Sequence, residues 1–274
     1  MGALPGDCHL IVLDEVDSTN TYAKRHFDNL ADGTLVSARM QTAGRGRLGR
    51  SWLSGRDRDI TATFILKNIS DGFHAGVICG LAVLKLIREY APGSLSFLKW
   101  PNDIYIREKK ICGILSEGVI SGGRLAGVVC GFGVNVNSTE NDLFTAGQPA
   151  TSLHICTGRN FDVEKLTERL EKYLFECYIK FNLDFPAVME EWRRENRLVG
   201  HPLEAVDPAG TRITGVFSRI DDDGAMILAQ NGGETRFLCG DIKIDVAGTD
   251  WEKMSREIAA DKAVEAAERI SVVR

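Results

Sequence analysis

A short segment rich in glycine and arginine is the clearest chemical feature of the sequence. Residues 44–50 read Gly-Arg-Gly-Arg-Leu-Gly-Arg, which places three glycines and three arginines in seven positions. Glycine lets the backbone bend tightly and bring amide groups close to a ligand, and arginine donates paired hydrogen bonds to phosphate or carboxylate oxygens. The segment therefore predicts a loop that binds a small, highly charged anion.

The same glycines match a dinucleotide-binding fingerprint, but the surrounding sequence does not. Gly44, Gly46 and Gly49 have the G-x-G-x-x-G spacing, and a strand is predicted just before them. Residues 50–58 lack the apolar period of the helix that this motif requires, and no Gly-Lys-Ser/Thr follows to make a Walker A loop. A surface loop that is only solvated, or that contacts nucleic acid, remains the alternative.

A second unusual segment reads Lys99-Trp100-Pro101-Asn102-Asp103. Proline fixes the backbone and interrupts strand pairing, so Asn102 and Asp103 are expected at the entrance of a strand. Alternating apolar residues over 104–115 predict an antiparallel hairpin whose turn carries Lys109 and Lys110. By themselves, two adjacent lysines in a turn indicate only solvation.

Several segments follow the order and approximate spacing found in the biotin protein ligases. They are residues 18–20, 41–52, 99–103, 109–117 and 131–137. The sequence closely resembles that family from about residue 13 to residue 245. The arginine-glycine loop followed by Lys-Trp-Pro-Asn-Asp is a specific combination, whereas either motif alone would be much weaker.

The resemblance implies an α+β fold with a mixed or antiparallel sheet packed with helices, of the class II aminoacyl-tRNA synthetase-like, biotin/lipoate ligase type. The sequence pattern independently predicts a mostly apolar helix over 73–90 behind a sheet and short strands over 198–245. In the family the latter segment is an SH3-like β-barrel. We therefore expect a catalytic domain at residues 1–197, a barrel domain at 198–247 and a C-terminal helical extension at 248–274.

The implied activity is an ATP-dependent ligation. The enzyme would activate biotin as biotinyl-5'-AMP and transfer it to a specific lysine of a biotin carboxyl carrier protein domain. Because biotin carboxylate and ATP are both anions, cationic side chains and Mg²⁺ must offset their repulsion. By resemblance, Lys110, Arg45 and Arg47 are the catalytic residues.

The resemblance also implies two sets of binding residues. Biotin is expected to contact Ser18, Thr19, Asn20, Gln41, Gly44, Arg45, Gly46, Arg47, Lys110 and Gly113. ATP is expected to contact Arg47, Arg50, Trp52, Lys99, Asn102, Asp103 and Asn135, with Asp103 as the candidate metal ligand. Taken singly, the Ser18 and Thr19 hydroxyls could serve only as helix caps, Trp52 could be a core residue, and Asp103 could orient a lysine.

One segment departs from the family pattern. Residues 54–63 read Ser-Gly-Arg-Asp-Arg-Asp-Ile-Thr-Ala-Thr. The family has a glycine, then Asn/Gly-Leu-Tyr, and a serine at the start of the next strand. The charge cluster at this point leaves the proposed catalytic cations unchanged, but it alters the strand expected to contact the biotin tail.

Composition limits the remaining function classes. A net charge of −5 and a pI near 5.6 argue against a general nucleic-acid binder. No signal peptide or membrane span is apparent, so a cytoplasmic protein is expected. Too few residues precede Leu10 for a helix-turn-helix, which indicates a monofunctional ligase that binds neither DNA nor membrane. Whether it forms a homodimer is left open.

The cysteines and histidines do not suggest a different chemistry. The seven cysteines lack the spacing of a zinc site. Cys112 follows the proposed catalytic lysine closely but has no base nearby in sequence, so packing explains it better than nucleophilic catalysis. A lipoate or octanoate ligase and a non-enzymatic nucleotide- or RNA-binding module remain the alternative functions.

Overall fold

The computed structural model describes residues 9–272. The chain divides into two compact units, Met1–Glu195 and Asn196–Arg274. Between residues 9 and 272, no helix is both long enough and apolar enough to cross a membrane.

The first unit is built on a seven-stranded mixed sheet with strand order β1-β2-β3-β7-β6-β5-β4. Strands β1 and β2 pair in parallel, and the other neighbours pair antiparallel. The strands are β1 (His9–Leu13), β2 (Thr34–Ala38), β3 (Ile60–Leu66), β4 (Ser96–Lys99), β5 (Asp103–Ile106), β6 (Lys109–Ser121) and β7 (Arg124–Val134).

Six α-helices complete this unit within the described residues. They are α1 (Thr19–Arg25), α2 (Gly72–Tyr90), α3 (Glu140–Leu143), α4 (Leu153–Thr157), α5 (Val163–Leu183) and α6 (Phe185–Glu195). Short 3₁₀ turns occur at Phe27–Asn29, Arg47–Gly49 and Phe144–Ala146. The α+β class with a mixed sheet, predicted from the sequence, is confirmed.

Helix α2 lies in the core because nearly every face of it is apolar. Eleven of its residues are buried. It packs against β6 and β7 as well as against α5. The Asp71 side chain caps its N-terminus by accepting a hydrogen bond from the His74 amide at 2.9 Å. This helix backs the sheet, as predicted, and leaves the opposite sheet face to α1 and the arginine-glycine loop.

The hairpin between β5 and β6 corrects one prediction. Its turn consists of Arg107 and Glu108, and Lys109 and Lys110 already belong to β6. Arg107 adopts a φ of 53°, a left-handed conformation that closes the short turn. Lys110 lies opposite Tyr105 in the ladder. The prediction that the turn carries the two lysines was therefore wrong, because only two residues separate Ile106 from the start of β6 at Lys109.

The second unit contains a five-stranded antiparallel sheet of order β11-β10-β9-β8-β12. Gly210 and Gly224, which adopt positive φ, lie in the turns between β8 and β9 and between β9 and β10. Met254 and Ile258 of the C-terminal helix are buried, as expected for a packing role. The barrel type and the functional domain bounds stay predictions. The elements are β8 (Pro202–Val206), β9 (Arg212–Ile220), β10 (Met226–Gln230), β11 (Gly233–Phe237), β12 (Asp241–Ile244) and α7 (Trp251–Val272).

Candidate active site

The floor of the candidate site is a strip of glycines on the two central strands β6 and β7. Gly113 lies directly opposite Gly133 in the ladder. A Cβ atom on Gly133 would lie 2.1 Å from the Trp52 ring, and one on Gly131 would lie 2.2 Å from Asn20 Oδ1. Only glycine allows these side chains to approach the sheet so closely. The strands therefore present bare backbone to whatever lies above them.

A polar cluster forms one end of this strip, at the start of α1. Ser18 and Thr19 are buried. The Thr19 amide donates to Gln41 Oε1 at 2.8 Å, and the hydroxyl oxygens of Thr19 and Thr63 lie 2.8 Å apart. Ser18 occupies the N-cap position, but its side chain makes no capping hydrogen bond. A pure capping role therefore does not account for the Ser18 hydroxyl.

Asn20 joins this cluster to strand β6. Its Oδ1 accepts a hydrogen bond from the Thr63 hydroxyl at 2.7 Å. Its amide nitrogen donates to the Leu115 carbonyl at 3.0 Å and to Glu117 Oε2 at 2.9 Å. Both ends of the side chain are thus engaged with protein groups, which makes Asn20 a support for the pocket. Its direct contact with biotin stays a prediction.

The arginine-glycine loop forms a small hairpin over the floor. The Gly46 amide donates to the Arg50 carbonyl at 2.7 Å, and the Trp52 amide donates to the Gly44 carbonyl at 2.9 Å. Leu48 at its tip adopts a φ of 54°. No helix opens after the glycines, so the rejection of a dinucleotide-binding fingerprint is confirmed.

The loop arginines reach different parts of the sheet. Arg45 Nη2 donates to Glu117 Oε2 at 2.9 Å. Arg47 Nη1 donates to Asn102 Oδ1 at 2.6 Å. Arg50 is exposed near the base of the loop. The two arginines predicted to act together therefore bind groups on separate elements, β6 and the turn before β5.

A lysine and an aspartate form the cationic end of the site. Lys110 Nζ lies 2.7 Å from Asp103 Oδ1, and both side chains are 14% exposed. The contact is close, although Asp103 Oδ1 has no partner that meets hydrogen-bond geometry. Lys110 Nζ also lies 6.0 Å from the centre of the Trp52 ring. Asp103 therefore pairs with Lys110 beside the floor, and its role as a metal ligand stays a prediction.

Lys99 and Asn135 are more deeply placed than the sequence indicated. Lys99 is buried, with its Nζ 4.8 Å from the centre of the Tyr105 ring. Asn135 is also buried, and its side-chain nitrogen donates to the Thr151 carbonyl at 2.9 Å. Its own amide donates to the Ile111 carbonyl at 2.9 Å. Their contacts with ATP stay predictions.

Cys112 is not suited to act as a nucleophile. It is fully buried, and burial raises the pKa of its thiol far above the ordinary value. Cys8 lies outside the described residues. Of the described cysteines, Cys79, Cys112, Cys130 and Cys177 are buried, whereas Cys156 and Cys239 are exposed.

The divergent segment before β3 forms a buried polar anchor. Asp59 accepts hydrogen bonds from the Val136 amide at 2.8 Å and from the Ser138 hydroxyl at 2.6 Å. Arg58 binds Asp142 at 2.5 Å. Burial raises the pKa of Asp59, although these hydrogen bonds and the charge of Arg58 oppose that rise. The segment thus fixes the chain that follows β7, and β3 keeps a regular ladder with β7.

Three polar residues of the site region were not identified from the sequence. Thr63 had a weak signal, because Thr61 and Thr63 alternate with apolar residues on β3. Glu117 and Asp59 lie in segments that the sequence analysis singled out, but nothing local indicated their partners, which come from distant parts of the chain.

The fold and the site together define an α+β domain in which a cationic loop lies over a glycine-lined sheet. A sequence model of the biotin/lipoate A/B protein ligase family matches residues 12–135. The bifunctional ligase/repressor BirA of Bacillus subtilis is 32% identical over 246 residues, which cover 86% of this chain and 74% of that protein.

Two further comparisons agree. The biotin–[acetyl-CoA-carboxylase] ligase of Paracoccus denitrificans is 29% identical over 230 residues, covering 81% of this chain and 95% of that protein. The structure of the biotin protein ligase from Aquifex aeolicus in complex with biotin and ATP superposes with a TM-score of 0.72 at 29% identity, covering 86% and 97% of the two chains. The chain belongs to the biotin/lipoate protein ligase family, and the resemblance inferred from its motifs is confirmed.

Proposed function

We propose that this chain is an ATP-dependent ligase that activates biotin as biotinyl-5'-AMP and transfers it to a lysine of a biotin carboxyl carrier domain. One observation carries the proposal: Arg47 and Lys110 bind the neighbouring residues Asn102 and Asp103, beside the glycine floor. Two cations therefore meet where a carboxylate and a phosphate must approach each other. The names of the relatives support biotin as the acid.

The polar cluster at the start of α1 suits the ring system of biotin. That ring is apolar apart from its ureido group, which needs a few hydroxyl or amide partners at one end of an apolar pocket. Ser18, Thr19 and Gln41 supply those groups. Gly44 and Gly46 let the loop backbone come close, and Gly113 lets the Lys110 ammonium lie against the floor, where it can meet the biotin carboxylate.

The nucleotide would bind at the opposite end of the floor, near Trp52. The indole N–H of Trp52 is buried and has no hydrogen-bond partner among the described residues. It therefore has a donor to offer a ligand. Arg47 and Arg50 would contact phosphates, while Lys99, Asn102 and Asn135 would line the site or support it.

A magnesium ion would fit this site only when it is also bound by the phosphates of ATP. Across residues 9–272, no group of three His, Cys, Asp or Glu side chains is arranged to hold a metal. Mg²⁺ is commonly bound by one or two carboxylates together with substrate phosphates. Asp103 is the carboxylate that would hold it here. The ion would supply positive charge to the phosphates, next to that of Lys110.

The reaction proceeds in two displacements. A biotin carboxylate oxygen attacks the α-phosphorus of ATP, the bond to the bridging oxygen breaks, and pyrophosphate leaves. The lysine amine of the carrier then attacks the acyl carbon, AMP leaves, and the amine loses a proton. Lys110 and Arg47 lower the repulsion between the anions in the first step and hold the adenylate for the second.

The proposal extends to the setting of the enzyme. Its protein substrate is a carrier domain of a biotin-dependent carboxylase, and its place is the cytoplasm, where ATP and the carrier occur together. It requires no contact with DNA or membrane. A homodimer is compatible with it, because each chain carries its own floor, loop and cations.

Pyrophosphate exchange tests the proposal directly. Purified protein is incubated with ATP, Mg²⁺ and labelled pyrophosphate, together with biotin, with lipoate or with no acid. Label should enter ATP only when biotin is present. Exchange with lipoate alone would instead identify a lipoate ligase, and the absence of exchange with either acid would overturn ligase activity.

A further inference from the structure

Glu117 is a carboxylate that the reaction scheme above does not use. It lies on β6 with 20% of its side chain exposed. Oε1 accepts a hydrogen bond from Lys24 Nζ at 2.6 Å, and Oε2 accepts from Asn20 Nδ2 and Arg45 Nη2, each at 2.9 Å. Burial raises the pKa of Glu117, but the hydrogen bonds from Lys24 and Asn20 and the nearby cations outweigh burial and lower it below the ordinary value. The side chain is therefore ionised at neutral pH.

Two of the three donors to Glu117 belong to the body of the domain. Lys24 and Asn20 extend from helix α1, so they hold the carboxylate in place without the loop. The third donor, Arg45, belongs to the arginine-glycine loop, 72 residues away in sequence. The Glu117 carboxylate is therefore held in place by α1, and Arg45 can bind it only when the loop lies over the sheet.

The loop depends on side chains to hold it against the sheet. Its backbone hydrogen bonds between Gly46 and Arg50 and between Gly44 and Trp52 lie within the loop itself. They shape the hairpin, and the amides of Thr42 and Ala43, which donate to the Val16 and Asp17 carbonyls at 2.9 and 2.8 Å, anchor only its first residues. Arg45 and Arg47 make hydrogen bonds to groups outside the loop, at Glu117 and Asn102 respectively.

Arg45 binds at the end of the cleft away from the reacting groups. Lys110 Nζ lies close to Gly113, 3.0 Å from where a Cβ atom on that glycine would be. Glu117 is four residues further along β6, which corresponds to about 13 Å at the rise of a strand. A guanidinium bound to Glu117 is therefore distant from the ammonium of Lys110, and it does not share one carboxylate or phosphate with it.

We propose that Glu117 is a positioning residue that latches the arginine-glycine loop closed by binding Arg45. This deepens the proposed ligase function, on which its effect on the adenylate rests. Arg45 then acts as the loop's half of the latch, and Arg47 and Lys110 remain the cations that touch the substrates. A charge-assisted hydrogen bond suits this role because it is strong enough to favour closure. Arg45 is 47% exposed, so the bond is screened by solvent and can open and close.

A double-mutant cycle measures the latch in the protein without substrates. Hydrogen exchange of the amides of residues 42–52 is followed by mass spectrometry in wild type, Glu117→Gln, Arg45→Met and the double variant. Each single variant should raise exchange by about threefold to tenfold, and the double variant should exchange no faster than either single variant. Lys24→Met is the matched control, since it removes the donor to Oε1 while Asn20 still fixes Oε2, the oxygen that Arg45 binds. It should exchange like wild type.

The second measurement is release of biotinyl-AMP into solution relative to transfer to a carrier domain. Glu117→Gln should raise release about threefold to tenfold, with a larger effect on KM for biotin than on kcat.

Hydrogen exchange equal to wild type in both single variants, or additive effects in the double variant, would overturn the latch. If Glu117→Gln does not fold, the exchange rate of Arg45→Met alone tests the latch. The Arg45 side chain is half exposed, so its replacement should not prevent folding. If the protein forms no biotinyl-AMP, the ligase proposal is wrong. The hydrogen-exchange measurements use no substrate, so they would still test whether Glu117 and Arg45 hold the loop closed.

Discussion

Replacing Gly133 with alanine should impair the site while leaving the fold nearly intact. A Cβ atom at this position would lie 2.1 Å from one atom of the Trp52 ring and 2.4 Å from two others. Carbon atoms in contact normally lie about 3.5–4.0 Å apart. The ring must therefore move by more than ~1 Å. Trp52 belongs to a partly exposed loop segment, so we expect the loop to shift and the sheet to stay in place.

The size of the effect follows from the cost of overpacking. An extra methyl group in a well-packed site costs about 1–3 kcal/mol. Because the loop must close for ligands to bind, most of this cost should appear in binding. KM for biotin should rise about 5- to 150-fold, since 1.4 kcal/mol corresponds to a factor of ten. The free energy of unfolding should fall by less than ~1 kcal/mol, because the displaced ring can move toward solvent.

Two measurements and one control test this prediction. Urea unfolding reports stability, and pyrophosphate exchange at varied biotin concentration reports KM. Gly118→Ala is the control, because it lies on β6 outside the cleft, where a Cβ would meet the flexible end of Leu125 at 3.1 Å. It should change neither quantity by much. A Gly133→Ala protein with wild-type KM would show that the Trp52 ring is not held against the floor in the active enzyme.

Three further perturbations address the cations and the buried carboxylate. Lys110→Gln should slow formation of biotinyl-AMP by roughly 10²- to 10³-fold, as for loss of one group that stabilises developing charge. Lys109→Gln, its neighbour, should keep near wild-type rates in the same assay. Arg47→Gly should release biotinyl-AMP and label lysines of unrelated proteins, and unchanged retention of the adenylate would contradict this expectation. The pKa of Asp59 is raised by burial, so the contribution of Asp59 to the free energy of unfolding falls as pH rises from the ordinary value of 3.8 through the raised pKa. The stability of Asp59→Asn relative to wild type should therefore increase with pH in urea unfolding from pH 4 upward, and parallel profiles would argue against the raised pKa.

Much of the first unit could be predicted from local sequence. The apolar run over 73–90 could form only a buried helix, and β-branched residues over 60–66 form β3 as expected. The start of β6 could not be predicted, because the turn depends on Arg107 adopting a positive φ, which side-chain type rarely indicates. Lys109 and Lys110 were predicted in that turn, whereas Lys110 lies in β6 with its ammonium close to Asp103 and Gly113.

The candidate site also combines residues that local sequence could identify with contacts that it could not. Residue type and spacing identified the cationic loop, the Lys-Trp-Pro-Asn-Asp segment and the lysine that follows, because these carry their chemistry in consecutive residues. The site also depends on contacts between residues far apart in sequence, such as Arg47 with Asn102, 55 positions apart, and Asn20 with Glu117, 97 positions apart. No local pattern specifies such pairs.

The sequence by itself determined which groups can bind an anion, where helices and strands form, and to which family the chain belongs. The tertiary structure alone decided that Gly113 and Gly133 face each other, that Trp52 lies over them, and that Arg45 and Arg47 bind different elements. The physical reason is strand register: pairing β6 with β7 brings distant residues side by side, and a shift of one residue would turn each side chain to the other face of the sheet.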